Sequence, residues 1–176
     1  YLLQAMQEIL QNCPEAHIKV AGISVLGVNG IKSRIKISAY GKYLRRLILK
    51  NRLEGKVRVL GNLSAEEMKR EYLSAQIFVC PSAVENSPNS VAEGQLLGVP
   101  VAASRTGGIP DVVKDGVSGL LFEKGNIHEL AACVSRILTD KQLAKELSAS
   151  ERETAAKLYN GENNYQKLIE IYQSIE

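Results

Sequence analysis

Helical patterns alternate along this chain with short apolar runs rich in β-branched residues. That rhythm predicts an α/β fold, a Rossmann-like parallel sheet with helices on both faces. The opening YLLQAMQEIL places apolar residues three and four apart and predicts an amphipathic helix that ends near Cys13 and Pro14. His17 to Ala21 then predicts a strand, and Gly22 to Ser33 a long loop punctuated by Gly22, Gly27 and Gly30. A second helix is expected from about Lys36 to Leu53, followed by a strand from Val57 to Leu60. Ser64, with Glu67 three residues on, forms a capping-box pattern that opens a helix to about Ala75. Ile77 to Cys80 predicts a buried strand stopped by Pro81, Val84 to Gly98 a loop that becomes a helix, and Pro100 to Ser104 a further strand. Asn126 with Glu129 repeats the capping signature and starts a helix to about Leu138, Asp140 can cap another, and Glu162 to Tyr172 is helical again. No internal repeat or low-complexity linker divides these elements, so residues 1–176 are expected to form one domain.

Ligands of open α/β sheets gather at the carboxyl ends of the strands, which makes the loops after Leu60, Cys80 and Ser104 the candidate site. The second of them reads PSAVENSPNSVAEGQLLGVPVAAS. Ser87 before Pro88 suits a helix start, because serine caps free amides and proline at the first helical position loses no hydrogen bond. The helix expected from about Pro88 to Leu97 would expose the amides of Asn89, Ser90 and Val91, the kind of terminus that binds phosphate. Glu85 lies before that terminus and Glu93 about a turn inside it, on the same face as Asn89 and Ser90. An ionised carboxylate accepts two hydroxyl donors at once, so the vicinal diols of a ribose and a hexose are suitable partners. Two glutamates eight positions apart also occur on ordinary surfaces; the surrounding strand, turn, helix and strand give the pair its meaning.

Composition adds limits. With 45% hydrophobic and 23% charged residues in 176, the chain can build a real core. Cys13, Cys80 and Cys133 lie far apart with no metal-type spacing and leave an odd thiol in any disulfide scheme, which suits a reducing cytoplasm. No apolar run approaches the roughly 18 residues of a membrane span. The abrupt helical start is what a piece of a longer protein would show. Net charge is only +3, yet Lys32, Arg34, Lys36, Lys42, Arg45, Arg46, Lys50, Arg52, Lys56 and Arg58 are opposed between them only by Glu54. Such a stripe is a solvated face, or a contact for nucleic acid or for anionic lipid head groups at the inner face of a membrane. Aromatic interleaving is limited to Tyr40 and Tyr43, and no nucleic-acid partner is implied.

The segment resembles the retaining GT-B glycosyltransferases of family 4 (glycosyl transferases group 1). These carry a pair of glutamates separated by seven residues in such a loop and helix, then a strand and a Gly-Gly-x-Pro turn, here Glu85, Glu93, Val99 to Ser104, and Gly107, Gly108 and Pro110. The ENSPNSVAE form is similar to capsular and surface-polysaccharide members, and the likeness runs from the first helix to about residue 140. The resemblance implies the carboxy-terminal, donor-binding half of a GT-B enzyme. Glu85 would contact the transferred sugar and stabilise positive charge at its anomeric carbon. Asn86, Ser87, Asn89, Ser90 and Val91 would hold sugar hydroxyls and phosphate, and Glu93 the ribose hydroxyls. Gly61 and Asn62 fall where the family binds the nucleobase, and Gly107 and Gly108 would shape the pocket wall or serve as a plain helix-start turn.

The resemblance also implies parts that this sequence does not contain. An Arg and a Lys near the strand before the opening helix, an amino-terminal acceptor domain and its catalytic histidine all fall outside it, so the first strand of the fold is expected to be missing and the piece inactive alone. AGISVLGVNG replaces the family's compact Gly-x-Gly turn. His17 and His128 lack the partner spacing of a catalytic base. With no Asp-x-Asp motif or His and Cys cluster, neither metal nor cofactor is implied; the donor substrate would be a nucleotide diphosphate sugar, with uridine favoured. Two other functions share the fold: a nucleotide-sugar epimerase, which needs no acceptor, and a non-catalytic partner-binding module.

Overall fold

The computed structural model describes residues 1–22 and 38–175. The chain begins with α1 (Leu2–Asn12), β1 (Ile18–Ala21), α2 (Ala39–Lys50), β2 (Val57–Gly61) and α3 (Ala65–Ser74). It continues with β3 (Phe78–Cys80), α4 (Asn89–Leu97), β4 (Val101–Ser104), α5 (Ile109–Val112) and β5 (Leu120–Phe122), and closes with α6 (Ile127–Thr139), α7 (Lys141–Leu158) and α8 (Gly161–Gln173). Most of the expected loop from Gly22 to Ser33, and the expected helix start at Lys36, lie outside the described residues.

The caps behave as local chemistry dictates. Ser64 and Glu67 close a reciprocal capping box, and the side chains of Asn126 and Asp140 accept from the amides of Glu129 and Leu143. Ser38 and Asn160 cap α2 and α8 in the same way. α2 stops at Lys50, three residues before the expected end, because Arg52 turns the chain at φ 52° and lets Leu53 drop into the core.

Among the described residues every strand pairing is parallel, β1 with β2 and β4 between β3 and β5. Alternate residues face opposite ways, as the two-residue period requires. Ala102, Leu120 and Phe122 pack against α1 and α6 through Ala5, Met6, Ile9, Leu130 and Val134. Val101, Ala103 and Leu121 pack on the other face with Val91 of α4 and Ile109 of α5. β5 was not anticipated as a strand: three residues carry no period, and Leu120, Leu121 and Phe122 owe their conformation to burial on both faces.

β1 and β2 form a sheet of their own, yet Ile18, Val57, Ile77 and Val79 pack against one core cluster together with β4 and β5. α8 buries none of its residues, and Tyr165, Leu168, Tyr172 and the following Ile175 are exposed on it at helical spacing.

Candidate functional site

β3 and β4, parallel neighbours, deliver the segments 81–88 and 105–108 to the same end of their sheet. There Glu85 is half-buried, and both of its carboxylate oxygens are engaged. Oε1 accepts from the Asn86 amide at 3.1 Å and Oε2 from the Ser82 hydroxyl at 3.3 Å. Ser82 is itself held, its carbonyl accepting from the Ser104 hydroxyl at 2.7 Å. The carboxylate is thus aimed by a serine that the sequence did not single out; a serine three residues before a glutamate carries no signal until β4 supplies Ser104 beside it.

Gly107 and Gly108 press directly on this loop. A Cβ at Gly107, whose φ is 54°, would fall inside the carbonyl of Glu85, and one at Gly108 would lie 2.5 Å from the Asn86 carbonyl oxygen. The two glycines therefore exist for close backbone approach, and their effect on Glu85 is direct. Gly108 also stands at the N-cap position of α5, with Pro110 in its first turn.

α4 begins one residue later than expected. Pro88, at φ −80° and ψ 69°, occupies the N-cap position, and Ser87 makes no side-chain cap. The Pro88 carbonyl accepts the amides of Val91 and Ala92 at 2.9 and 3.1 Å, while the Asn89 amide turns back to the Ser87 carbonyl at 2.9 Å. These short bonds tighten the first turn and use the Asn89 and Val91 amides, and the Asn86 amide is taken by Glu85, so of the expected trio Ser90 keeps its amide open. Glu93 is exposed one turn into the helix, beside that terminus. At the far end Gly98 closes α4 in the left-handed conformation, φ 70°.

Gln95 of α4 is buried, its amide nitrogen donating to the carbonyls of Val112 at 3.0 Å and Ser118 at 3.2 Å, which ties α4 to the segment behind Gly107 and Gly108. Arg105, at the end of β4, pairs with Asp115 at 2.5 Å and Glu123 at 3.3 Å. Tyr72 of α3 is 4% exposed and its hydroxyl donates to the Ser90 carbonyl at 2.9 Å. Neither Tyr72 nor Gln95 was among the expected site residues, since each meets its partners only across the fold.

β1 and β2 end at a second part of the site. The Gly22 amide donates to the Gly61 carbonyl at 2.8 Å, and Gly61, at φ 75°, turns the chain out of β2. Beyond this turn lies a cavity of about 310 Å³ lined by Ala21, Gly22, Asn62, Leu63 and Met68. Of Gly61 and Asn62, the two residues named here from the sequence, Asn62 lines the cavity, beside Ala21, Leu63 and Met68. A mostly apolar lining with one amide side chain, Asn62, suits a flat heterocycle.

Residues 1–154 match the family profile of glycosyl transferases group 1. The chain belongs to this family. Among curated relatives it is 32% identical over 100 residues to sulfoquinovosyl transferase SQD2 of Arabidopsis thaliana, covering 55% of this chain and 20% of that one. It is 28% identical over 174 residues to the D-inositol 3-phosphate glycosyltransferase of Corynebacterium urealyticum, covering 99% and 39%. The chain therefore spans less than half the length of these curated relatives. Among solved structures, Anabaena Alr3699/HepE in complex with UDP superposes with a TM-score of 0.82 at 22% identity, over 98% of this chain and 44% of that one. The same Anabaena protein has also been solved with UDP-glucose. The shared fold is the parallel α/β architecture that the alternation of elements predicts.

Proposed function

We propose that this group 1 chain is the donor-binding part of a retaining glycosyltransferase, one that moves a hexosyl group from a nucleotide diphosphate sugar to a hydroxyl acceptor in surface-polysaccharide synthesis. The observation that carries it is the Glu85 loop, clamped against Gly107 and Gly108 and aimed by Ser82 at the strand ends. In this reading Glu85 stabilises charge developing at the anomeric carbon, the kind of preorganised electrostatic contribution that dominates many enzymes. Ser90 offers its amide to phosphate. Glu93 accepts the ribose hydroxyls, and the cavity beside Asn62 takes the base, for which uracil is favoured by the UDP seen in the Anabaena relative.

The test is calorimetry and product analysis with the full-length protein and UDP-sugars. Glu85→Gln should retain UDP binding and lower turnover by roughly 10²-fold or more, the usual size of a lost charge-stabilising group. Absence of nucleoside diphosphate binding in the full-length protein overturns the proposal. Conversion of the sugar nucleotide with no acceptor present would instead mark an epimerase.

A membrane contact is part of the same reading. α2 carries no acidic residue, and Lys42, Tyr43, Arg46, Leu49 and Lys50 are exposed along it, with Tyr40 60% exposed at its start. The Tyr40 and Tyr43 rings stack at 6.3 Å. Cations flanked by exposed aromatic and aliphatic side chains suit an anionic lipid surface. Full-length protein should sediment with vesicles containing phosphatidylglycerol and not with phosphatidylcholine alone, and a Lys42, Arg46 and Lys50 to Glu triple variant should stay in the supernatant.

A further inference from the structure

α3 joins the two parts of the site. Its first turn is held by the Ser64 and Glu67 capping box, directly after the cavity residues Asn62 and Leu63. Met68 lines the cavity, and Tyr72, one turn further along the same face, reaches α4. The Tyr72 ring is fixed on three sides. It meets the Phe78 ring of β3 edge-to-face at 5.3 Å and 62°, and α4 comes close at Gly94, where a Cβ would lie 3.6 Å from the Tyr72 Cε1 atom. Its hydroxyl meets the Ser90 carbonyl at 2.9 Å. Phe78 is anchored in turn, its amide donating to the Pro100 carbonyl at 2.8 Å.

We propose that Tyr72 is a positioning residue for the donor's ribose: through Ser90 it fixes the first turn of α4, and with it the carboxylate of Glu93, relative to the base cavity at the other end of α3. The inference rests on the proposed role of Glu93. A base and its ribose are joined by a single glycosidic bond, so a site that reads both must hold their two contacts within a narrow range of separations. Asn62 and Leu63 lead into the cap of α3, Met68 lies in its first turn and Glu93 belongs to α4; the Tyr72 hydroxyl bonds one helix to the other. Burial, and then the neighbouring Glu93 carboxylate, push the phenol far above its ordinary range, so it stays a neutral donor at every working pH.

The hydroxyl is separable from the ring. Tyr72→Phe keeps the packing against Phe78 and removes the hydroxyl, with its bond to Ser90 and its contact with the Glu93 carboxylate. With the full-length protein, UDP and 2′,3′-dideoxy-UDP are compared by calorimetry in the wild type, Tyr72→Phe and Glu93→Gln. The wild type should prefer UDP. Tyr72→Phe should lose about three- to tenfold of that preference, the scale of one hydrogen bond, while its melting temperature stays within a few degrees. A residue that served only folding would weaken both ligands equally and leave their ratio alone. Phe78→Leu keeps the hydroxyl and loosens the ring, and should move the ratio the same way by less, which keeps the test available if Tyr72→Phe fails to fold. If Glu93→Gln leaves the ratio unchanged, the ribose role of Glu93 is wrong. If Glu93→Gln collapses the ratio while Tyr72→Phe and Phe78→Leu preserve it, Glu93 keeps its role and the positioning by Tyr72 is overturned.

Discussion

Gly107 and Gly55 both have a positive φ, 54° and 81°, and the difference between them is what stands in front of each. Nothing lies within 4 Å of a Cβ built on Gly55, whereas one on Gly107 would strike the Glu85 carbonyl. Gly55→Ala should therefore cost about 1 kcal/mol of stability, the penalty of the left-handed region for a residue with a side chain, and leave turnover intact. Gly107→Ala should carry that penalty and also displace Glu85, lowering turnover by at least about tenfold, equivalent to roughly 1.4 kcal/mol in the barrier. Parallel melts and rate measurements on the two variants separate strain from misplacement. Glu85 and Glu93 were legible in sequence because their setting, turn then helix, lies within a few positions of them. Ser82 and Tyr72 were not, because the groups that give them a role, Ser104 and Ser90, arrive from elements 22 and 18 residues away.

Helix α7 shows the same limit one level up. Its cap at Asp140 could be read directly, but its task could not. Ser148 donates to the Gly98 carbonyl at 2.7 Å, Arg152 to the Leu97 carbonyl at 3.1 Å, and Glu151 accepts the Val101 amide at 2.8 Å. One helix thus satisfies the end of α4 and the start of β4 together. Glu151 is fully buried for this purpose, and desolvation raises its pKa from 4.5 to about 8 despite the bond to Val101, which acts the other way. The folded state therefore holds a proton that the unfolded chain releases near pH 4.5. The stability this contributes is complete below that pH and is lost as pH rises through about 8. Urea midpoints should accordingly fall between pH 5 and pH 8.5. Glu151→Gln, which can still accept from Val101, should flatten that fall.

For the molecule as a whole, β1 and β2 share no hydrogen bond with β3, β4 and β5, and the core must hold the two sheets together. Phe122, 1% exposed, belongs to the cluster against which Ile18 of β1 and Val57 of β2 pack. Phe122→Ala should destabilise by about 3–5 kcal/mol, the range for emptying an aromatic core site. Denaturation followed by circular dichroism and by tyrosine fluorescence should still give a single, coincident transition, since both sheets lean on the same cluster. The sequence by itself determined the order of the helices and strands apart from α5 and β5, the caps at Ser64, Asn126 and Asp140, and the candidacy of Glu85 and Glu93. All of these follow from side-chain period and hydrogen bonds spanning three or four residues, which any reader of the chain can reach. Only the tertiary structure decided that β5 is a strand, that α4 starts after Pro88 with two of its expected amides already used, that Gly107 and Ser82 meet Glu85, and that Tyr72 meets Ser90. Those outcomes depend on backbone and side-chain groups that are distant in sequence and become neighbours only when the core closes.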